Sequence, residues 1–144
     1  MKRFTCITLV LVIILILCAC ENPEKNLIET KYFTMTVPDS WVNNYCVKTS
    51  EEELSAETNY TVCVYEKGSY ERSGGGNLFD IIITADEYFD AFASGEKIDE
   101  VDLDGKYCIF VRYPSDVQFD DAGMEKYLDM AKEVEDVIAS IDYK

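Results

Sequence analysis

A short apolar run near the N-terminus separates a segment that we expect to be removed from the segment that folds. The chain opens Met-Lys-Arg, residues 4–19 are almost wholly apolar, and residues 9–20 contain no polar side chain other than thiols. A basic start followed by a short apolar run is typical of a secretory signal peptide. Because a membrane-spanning helix needs about 20 apolar residues, this run is too short for a permanent anchor. We therefore expect residues 1–19 to be an export signal and the fold to form from the rest of the chain.

The apolar run ends in the tetrapeptide Leu17-Cys18-Ala19-Cys20. This tetrapeptide resembles the lipobox of bacterial lipoproteins, which has a branched apolar residue three positions before the cysteine and a small residue directly before it. The resemblance implies that the Cys20 thiol receives a diacylglyceryl group and that cleavage follows Ala19. Two acyl chains anchor a protein stably, whereas a single chain binds only marginally. The alternative is an ordinary thiol behind a conventional cleaved signal, although a plain Ala-x-Ala site is missing.

The expected mature chain is strongly acidic. All 28 Asp and Glu residues lie after residue 20, and removal of Lys2 and Arg3 leaves 11 basic residues, so the net charge is −17. A surface of that sign repels nucleic acid and anionic lipid, and we expect no nucleic-acid partner. The charge favours cations or basic protein surfaces as partners, or it serves solubility alone.

Histidine is absent from the whole chain. Its absence excludes Ser-His-Asp and Cys-His catalysis, and it excludes histidine-ligated zinc or copper. Only carboxylate, thiol, lysine or tyrosine chemistry is left. We expect no cofactor, no metal and no catalytic residue.

Three cysteines follow Cys20 without any C-x-x-C spacing: Cys46, Cys63 and Cys108. An exported protein can form disulfides, and Cys46 could pair with Cys63 if their strands are neighbours. We favour a second interpretation, in which all three are small apolar packing residues, because Cys63 lies between two valines and Cys108 precedes Ile109. A reactive or metal-binding thiol is a third interpretation.

Alternating apolar and polar residues predict antiparallel strands in the mature chain. After a polar tether at residues 20–30, the predicted strands cover residues 32–37, 45–48, 58–66 and 78–84. A turn follows the first strand at Pro38, and Trp41 is expected to fill the core beside it. The acidic residues 51–57 are predicted as a loop or short solvated helix, and residues 68–77 as a flexible connection.

A hairpin and a terminal helix complete the predicted fold. Residues 101–113 contain an Asp-Gly pair typical of a two-residue hairpin turn, and residues 86–94 predict a short helix or turn. The C-terminal segment carries an apolar stripe at helical spacing, made by Met124, Tyr127, Leu128, Ala131, Val134, Ile138 and Ile141. These elements predict one α+β domain over residues 31–144, an antiparallel sheet with a C-terminal amphipathic helix packed on one face.

A longer pattern resembles known families. The opening Phe33-x-Met35-x-Val37-Pro38-Asp39-Ser40-Trp41, the segment Tyr113-Pro114-Ser115-Asp116-Val117-Gln118 and the terminal helix look like a group of small Firmicutes surface lipoproteins. That resemblance implies a lipid anchor on the extracellular face of a Gram-positive cell membrane, and it brings no activity with it. The first motif is also similar to the opening of the Mog1/PsbP-like α/β fold, which implies a scaffold that often serves binding.

Three loops carry residues that could form a site. Asp116, Asp120 and Asp121 precede the terminal helix, where an Asp also serves as an N-cap, and they are candidates for a calcium or acid-base site. The triple glycine at residues 74–76 could cradle a phosphate, but the Gly-Lys-Ser/Thr of a phosphate loop does not follow it. Residues 102–105 begin like a calcium loop but lack its later ligands, so the hairpin explains them better.

The sequence supports two main classes of function. The first is a non-enzymatic binding or adapter module of the cell envelope, anchored through Cys20 and contacting an envelope protein or peptide. The second is a small hydrolase or ligand carrier that uses paired carboxylates, with Asp116 and Asp120 as candidates. A structural spacer is a third interpretation. Two carboxylates converging in a deep pocket would favour the enzyme, whereas a shallow face would favour the adapter.

Overall fold

The computed structural model describes residues 26–50, 53–85, 88, 95–116 and 119–144. The predicted signal, the lipidation site Cys20 and most of the predicted element at 86–94 lie outside these residues. The described strands are β1 (Leu27–Glu29), β2 (Phe33–Thr36), β3 (Tyr45–Thr49), β4 (Tyr60–Glu66), β5 (Asn77–Ala85), β6 (Glu96–Asp102), β7 (Lys106–Arg112) and β8 (Asp142–Tyr143), and the helices are α1 (Lys67–Ser73), α2 (Met124–Ala131) and α3 (Val134–Ala139). Antiparallel strands with helices at the C-terminal end confirm the predicted α+β class.

The strands in the described part of the chain form two antiparallel sheets, whereas the sequence predicted one. The larger sheet has five strands in the order β3-β4-β5-β7-β6, and the smaller has three in the order β1-β2-β8. The sheets separate at Pro38, which has no N–H for a strand ladder, and at the 3₁₀ turn Asp39–Trp41 that follows it. Strand β2 therefore pairs with the first and last strands, and β3 begins the larger sheet.

Strand β1 lies inside the segment that was predicted as a tether. Its Ile28 is buried and pairs with Met35 of β2. The polar residues Asn26 and Glu29 lie close to that single buried side chain, so the alternation is too short to predict a strand. The fold therefore includes residues before Lys31.

The core lies between one face of the larger sheet and a layer formed by the smaller sheet, Trp41 and the C-terminal helices. The alternation of β4 is confirmed, because Tyr60, Val62 and Val64 are buried and the residues between them are not. Trp41 fills the core as predicted, and its indole N–H donates to Glu133 at 2.9 Å. The face of the larger sheet that points away from this core is called the outer face below.

The predicted single terminal helix is broken in two. Helix α2 packs on β4 and β5 of the larger sheet, and α3 packs on β2 of the smaller sheet. The break falls at Glu133, whose carboxylate accepts hydrogen bonds from Trp41 and from Ser40 at 3.1 Å. One straight helix could not present the same stripe to both sheets.

The apolar stripe predicted for the C-terminal helix is only partly correct. Tyr127, Val134 and Ile138 are buried as expected, and Met130 and Val137 are buried as well. The exposed members of the predicted stripe are Met124, Leu128 and Ala131. Among the described residues, no helix has the length and apolar character needed to span a bilayer.

The β6–β7 hairpin has a three-residue loop in place of the predicted two-residue turn. The last strand pair is Asp102 with Lys106, which leaves Leu103, Asp104 and Gly105 between the strands. Asp104 has a φ of 62°, whereas Gly105 is not among the glycines with positive φ. The Asp supplies the left-handed residue, since a short polar side chain tolerates that conformation.

The prediction of a flexible connection at residues 68–77 is wrong, because most of this segment is helix α1 and the links that hold it. The Glu66 carboxylate accepts hydrogen bonds from the N–H groups of Gly68 at 2.8 Å and Ser69 at 2.6 Å, which satisfies the start of the helix. Gly74 ends the helix with a φ of 74°. Gly76 has a φ of 84° and passes so close to the Glu66 carbonyl that a Cβ would lie 2.6 Å from it.

Candidate functional site

Three polar or polarisable side chains lie in one row across the outer face of the larger sheet. Strand pairing places Asp80 of β5 between Cys63 of β4 and Arg112 of β7. Side chains alternate along a strand, so these three point away from the core while their apolar neighbours fill it. The row is a product of strand register, since the three residues are far apart in sequence.

Asp80 is almost fully buried, and both of its carboxylate oxygens are hydrogen-bonded. Oδ1 accepts from the Asn77 side-chain amide at 2.8 Å. Oδ2 accepts from Arg112 Nη2 at 2.7 Å and from Arg112 Nε at 3.1 Å. A buried charge is tolerated when it is paired and hydrogen-bonded, as it is here. Asn77, Asp80 and Arg112 thus form a fixed polar cluster whose two charges cancel.

An open groove of about 470 Å³ lies over this polar cluster. Cys63 and Tyr65 line it from β4, Gly74 from the end of α1, and residues 113–115 from the segment after β7. The side chain of Arg112 and the residue Tyr113 are each 44% exposed, so both are accessible to a ligand. The volume lies within the range of about 300–1,000 Å³ that is usual for small-molecule sites.

The thiol and the phenol in the groove are both held in their neutral forms. Burial, with a contribution from the charge of Asp80, raises the pKa of the Cys63 thiol to about 12. Burial also raises the pKa of the Tyr65 hydroxyl, with contributions from Cys63 and Asp80. The thiolate is the nucleophilic form of cysteine, so Cys63 is a poor nucleophile at neutral pH.

No protein-family model, no curated protein and no solved structure matches this chain. The groove is accordingly interpreted from its own residues. The resemblances to Firmicutes surface lipoproteins and to the Mog1/PsbP-like fold stay predictions.

The predicted ligand candidates do not line the groove. Asp116 and Asp121 are exposed, and neither is a groove residue. Asp120 accepts hydrogen bonds from Arg72 Nε at 2.7 Å, from Arg72 Nη2 at 2.8 Å and from the Gly123 N–H at 2.8 Å. The Arg72 guanidinium lowers the pKa of Asp120. This carboxylate therefore fastens the segment before α2 to α1.

The described part of the chain contains no group of three or more Cys, Asp or Glu residues that could hold a metal ion. The acidic residues of the hairpin loop and of the segment before α2 thus form no such group with their described neighbours. No metal ligand is assigned.

Cys46, Cys63 and Cys108 all remain thiols. The β3–β4 register explains why the first two are not bridged, because Cys46 lies opposite Tyr65 and Cys63 lies opposite Lys48. Cys46 and Cys108 are fully buried, in agreement with the packing interpretation. That interpretation is wrong for Cys63, which is only partly buried and lines the groove on the outer face.

Sequence reasoning missed the polar cluster. The signal that could have revealed it is Asp80 itself, a single charge inside an otherwise apolar strand. Such a charge needs a partner, and Arg112 at the end of another apolar strand is a suitable one. The sequence could not say which of the 13 basic residues would meet it, because that depends on strand order and register.

Proposed function

We propose that this chain is a membrane-anchored extracytoplasmic lipoprotein that acts as a non-enzymatic binding module of the cell envelope, with the outer-face groove as its binding surface. The anchor is supported by the signal pattern and the lipobox resemblance around Cys20. The binding role is supported by one observation above all: the groove is open, and its two charged groups are already bonded to each other.

Paired charges favour binding over catalysis. Hydrolysis by carboxylates requires groups that are available to take up and release protons. Among the described groove residues, Asp80 is the only carboxylate, and both of its oxygens accept hydrogen bonds. A cluster fixed in this way offers oriented donors to a ligand, and little conformational entropy is lost when the ligand binds.

The carboxylate-based hydrolase or ligand carrier has no specific observation in its favour. Its candidate pair was Asp116 and Asp120. Asp120 is occupied by Arg72 and by the Gly123 N–H. We therefore do not propose it.

The anchor is tested by the substitution Cys20→Ala. Without the thiol no acyl chain can be attached, so this variant should be unprocessed or should leave the membrane fraction. The control is Cys18→Ala, which keeps Cys20 and should fractionate like the wild type. Fractions from host cells would be compared by immunoblot and intact mass. Normal processing and membrane retention of Cys20→Ala would contradict the anchor.

The binding role is tested by crosslinking in the host, followed by affinity purification and mass spectrometry. Tyr113→Ala removes an exposed groove residue, and Tyr88→Ala removes a tyrosine that is equally exposed, at 44%, and does not line the groove. We expect one envelope component to be captured by the wild type and by Tyr88→Ala, and to be lost with Tyr113→Ala. Identical captures from all three chains would overturn the assignment of the groove.

A further inference from the structure

We propose that the groove recognises an uncharged glycan, bound through its hydroxyl groups and the C–H face of a sugar ring. The inference rests on the proposed binding function and adds the chemical class of the ligand. Three features of the groove support it: the balance of charge, the mixture of hydrogen-bond donors and acceptors, and an accessible aromatic side chain.

The charge of the groove argues against charged ligands. Among the described groove residues only Asp80 and Arg112 are charged, and they form an ion pair at 2.7 Å. An anion would compete with Asp80 for the guanidinium and would meet the field of a chain with net charge −15. A cation would compete with Arg112 for a carboxylate whose two oxygens both already accept hydrogen bonds. An uncharged ligand disturbs neither bond.

The polar groups of the groove match hydroxyl groups. The hydroxyls of Tyr65 and Ser115 both donate and accept, and the guanidinium of Arg112 donates. A sugar hydroxyl also does both, so it can satisfy such a mixed set. A purely apolar ligand would leave these groups without hydrogen bonds, which costs free energy.

The aromatic side chains match the remaining surface of a sugar. Tyr113 is exposed at the groove, and the Tyr65 ring is held against Tyr70 with 4.8 Å between ring centroids. A tyrosine combines an apolar ring with a polar tip, and a sugar ring combines an apolar C–H face with polar edges. The groove volume of about 470 Å³ accommodates a small number of sugar rings.

The test is isothermal titration of the purified lipidated protein in detergent micelles. A tetrasaccharide of N-acetylglucosamine represents wall glycan, and maltotetraose represents a neutral sugar from another source. Binding of either probe supports the inference, and the stronger probe identifies the source. Because the ligand is uncharged, affinity should change less than about twofold between low and high salt.

Matched variants locate the binding. Tyr113→Ala should weaken the affinity about tenfold, a loss of about 1.4 kcal/mol, because the variant removes the apolar ring surface that contacts the sugar. Tyr88→Ala should leave it unchanged. Both tyrosines are exposed, and near-ultraviolet circular dichroism would verify that the variants fold.

Three outcomes would overturn the glycan assignment: no heat with either sugar at millimolar concentration, equal weakening by both variants, or tighter binding of inorganic phosphate than of the sugars. Failure of the glycan assignment can be distinguished from failure of the proposed binding function. If neither sugar binds while an envelope component is still captured through Tyr113, the ligand class is wrong and the binding module stands.

Discussion

The ion pair beneath the groove allows a quantitative prediction for Arg112→Met, which keeps an unbranched side chain and removes the charge. Asp80 would then be left with Asn77 and without the two guanidinium hydrogen bonds. Removing one partner of a fully buried pair costs about 3–5 kcal/mol. The Arg112 side chain is 44% exposed, so in the variant water can reach the unpaired Asp80 carboxylate, and the loss of stability is smaller than for a fully buried pair. We therefore expect the free energy of unfolding to fall by about 2 kcal/mol.

Urea unfolding followed by fluorescence measures this loss, because Trp41 is the only tryptophan and is fully buried. The control is Lys132→Met, which breaks an exposed pair with Asp129 and should leave the free energy of unfolding unchanged, because solvent screens an exposed pair. Adding Asp80→Asn to Arg112→Met removes the unpaired negative charge of Asp80 and should recover roughly half of the lost free energy of unfolding. The reasoning is refuted if Arg112→Met is as stable as the control, or if the second substitution lowers stability further.

Two further predictions concern the other perturbed groups. The Arg72 pair lowers the pKa of Asp120 from its usual 3.8, so its stabilisation is present above that pH and is lost as the pH falls through the lower folded value. Urea midpoints of the wild type and Asp120→Asn should therefore differ at pH 7 and converge in acid; equal midpoints at pH 7 would disprove a contribution. Because the pKa of Cys63 is raised from 9.0 to about 12, its thiolate at pH 8 should be about a thousandfold rarer than that of an ordinary thiol. Peptide-resolved maleimide labelling should accordingly be slow in the native protein and fast in urea, and equal rates would contradict the assignment.

The strands that sequence reasoning located are those with sustained alternation. Strand β4 was predicted because apolar residues alternate over its length, and the structure buries one of its two faces. The segment around Ile28 gave no such signal, because it contributes a single buried side chain. The break at Glu133 was also hidden, since the residues on both sides keep helical spacing and only the packing on two separate sheets reveals it.

Helix α1 was missed for a different reason. Its sequence is short and contains Gly68 and two serines, which are poor helix formers in isolation. The helix forms because the buried Glu66 at the end of β4 caps it and because Arg72 is fastened to Asp120. Both interactions depend on the fold, and one of them explains why Asp120, one of the three predicted ligand candidates, has a structural role.

Stability and recognition can be separated in the groove. Arg112 is bonded to Asp80, so its replacement changes the unfolding free energy and the charge of the groove together. Tyr113 is exposed and does not belong to the buried core, so its replacement should change binding while changing the free energy of unfolding by less than about 0.5 kcal/mol. If the groove binds a neutral glycan, Arg112→Met should lower stability and affinity, whereas Tyr113→Ala should lower affinity alone. That contrast would show that the affinity lost with Tyr113→Ala comes from a missing groove contact and not from a loss of the general integrity of the sheet.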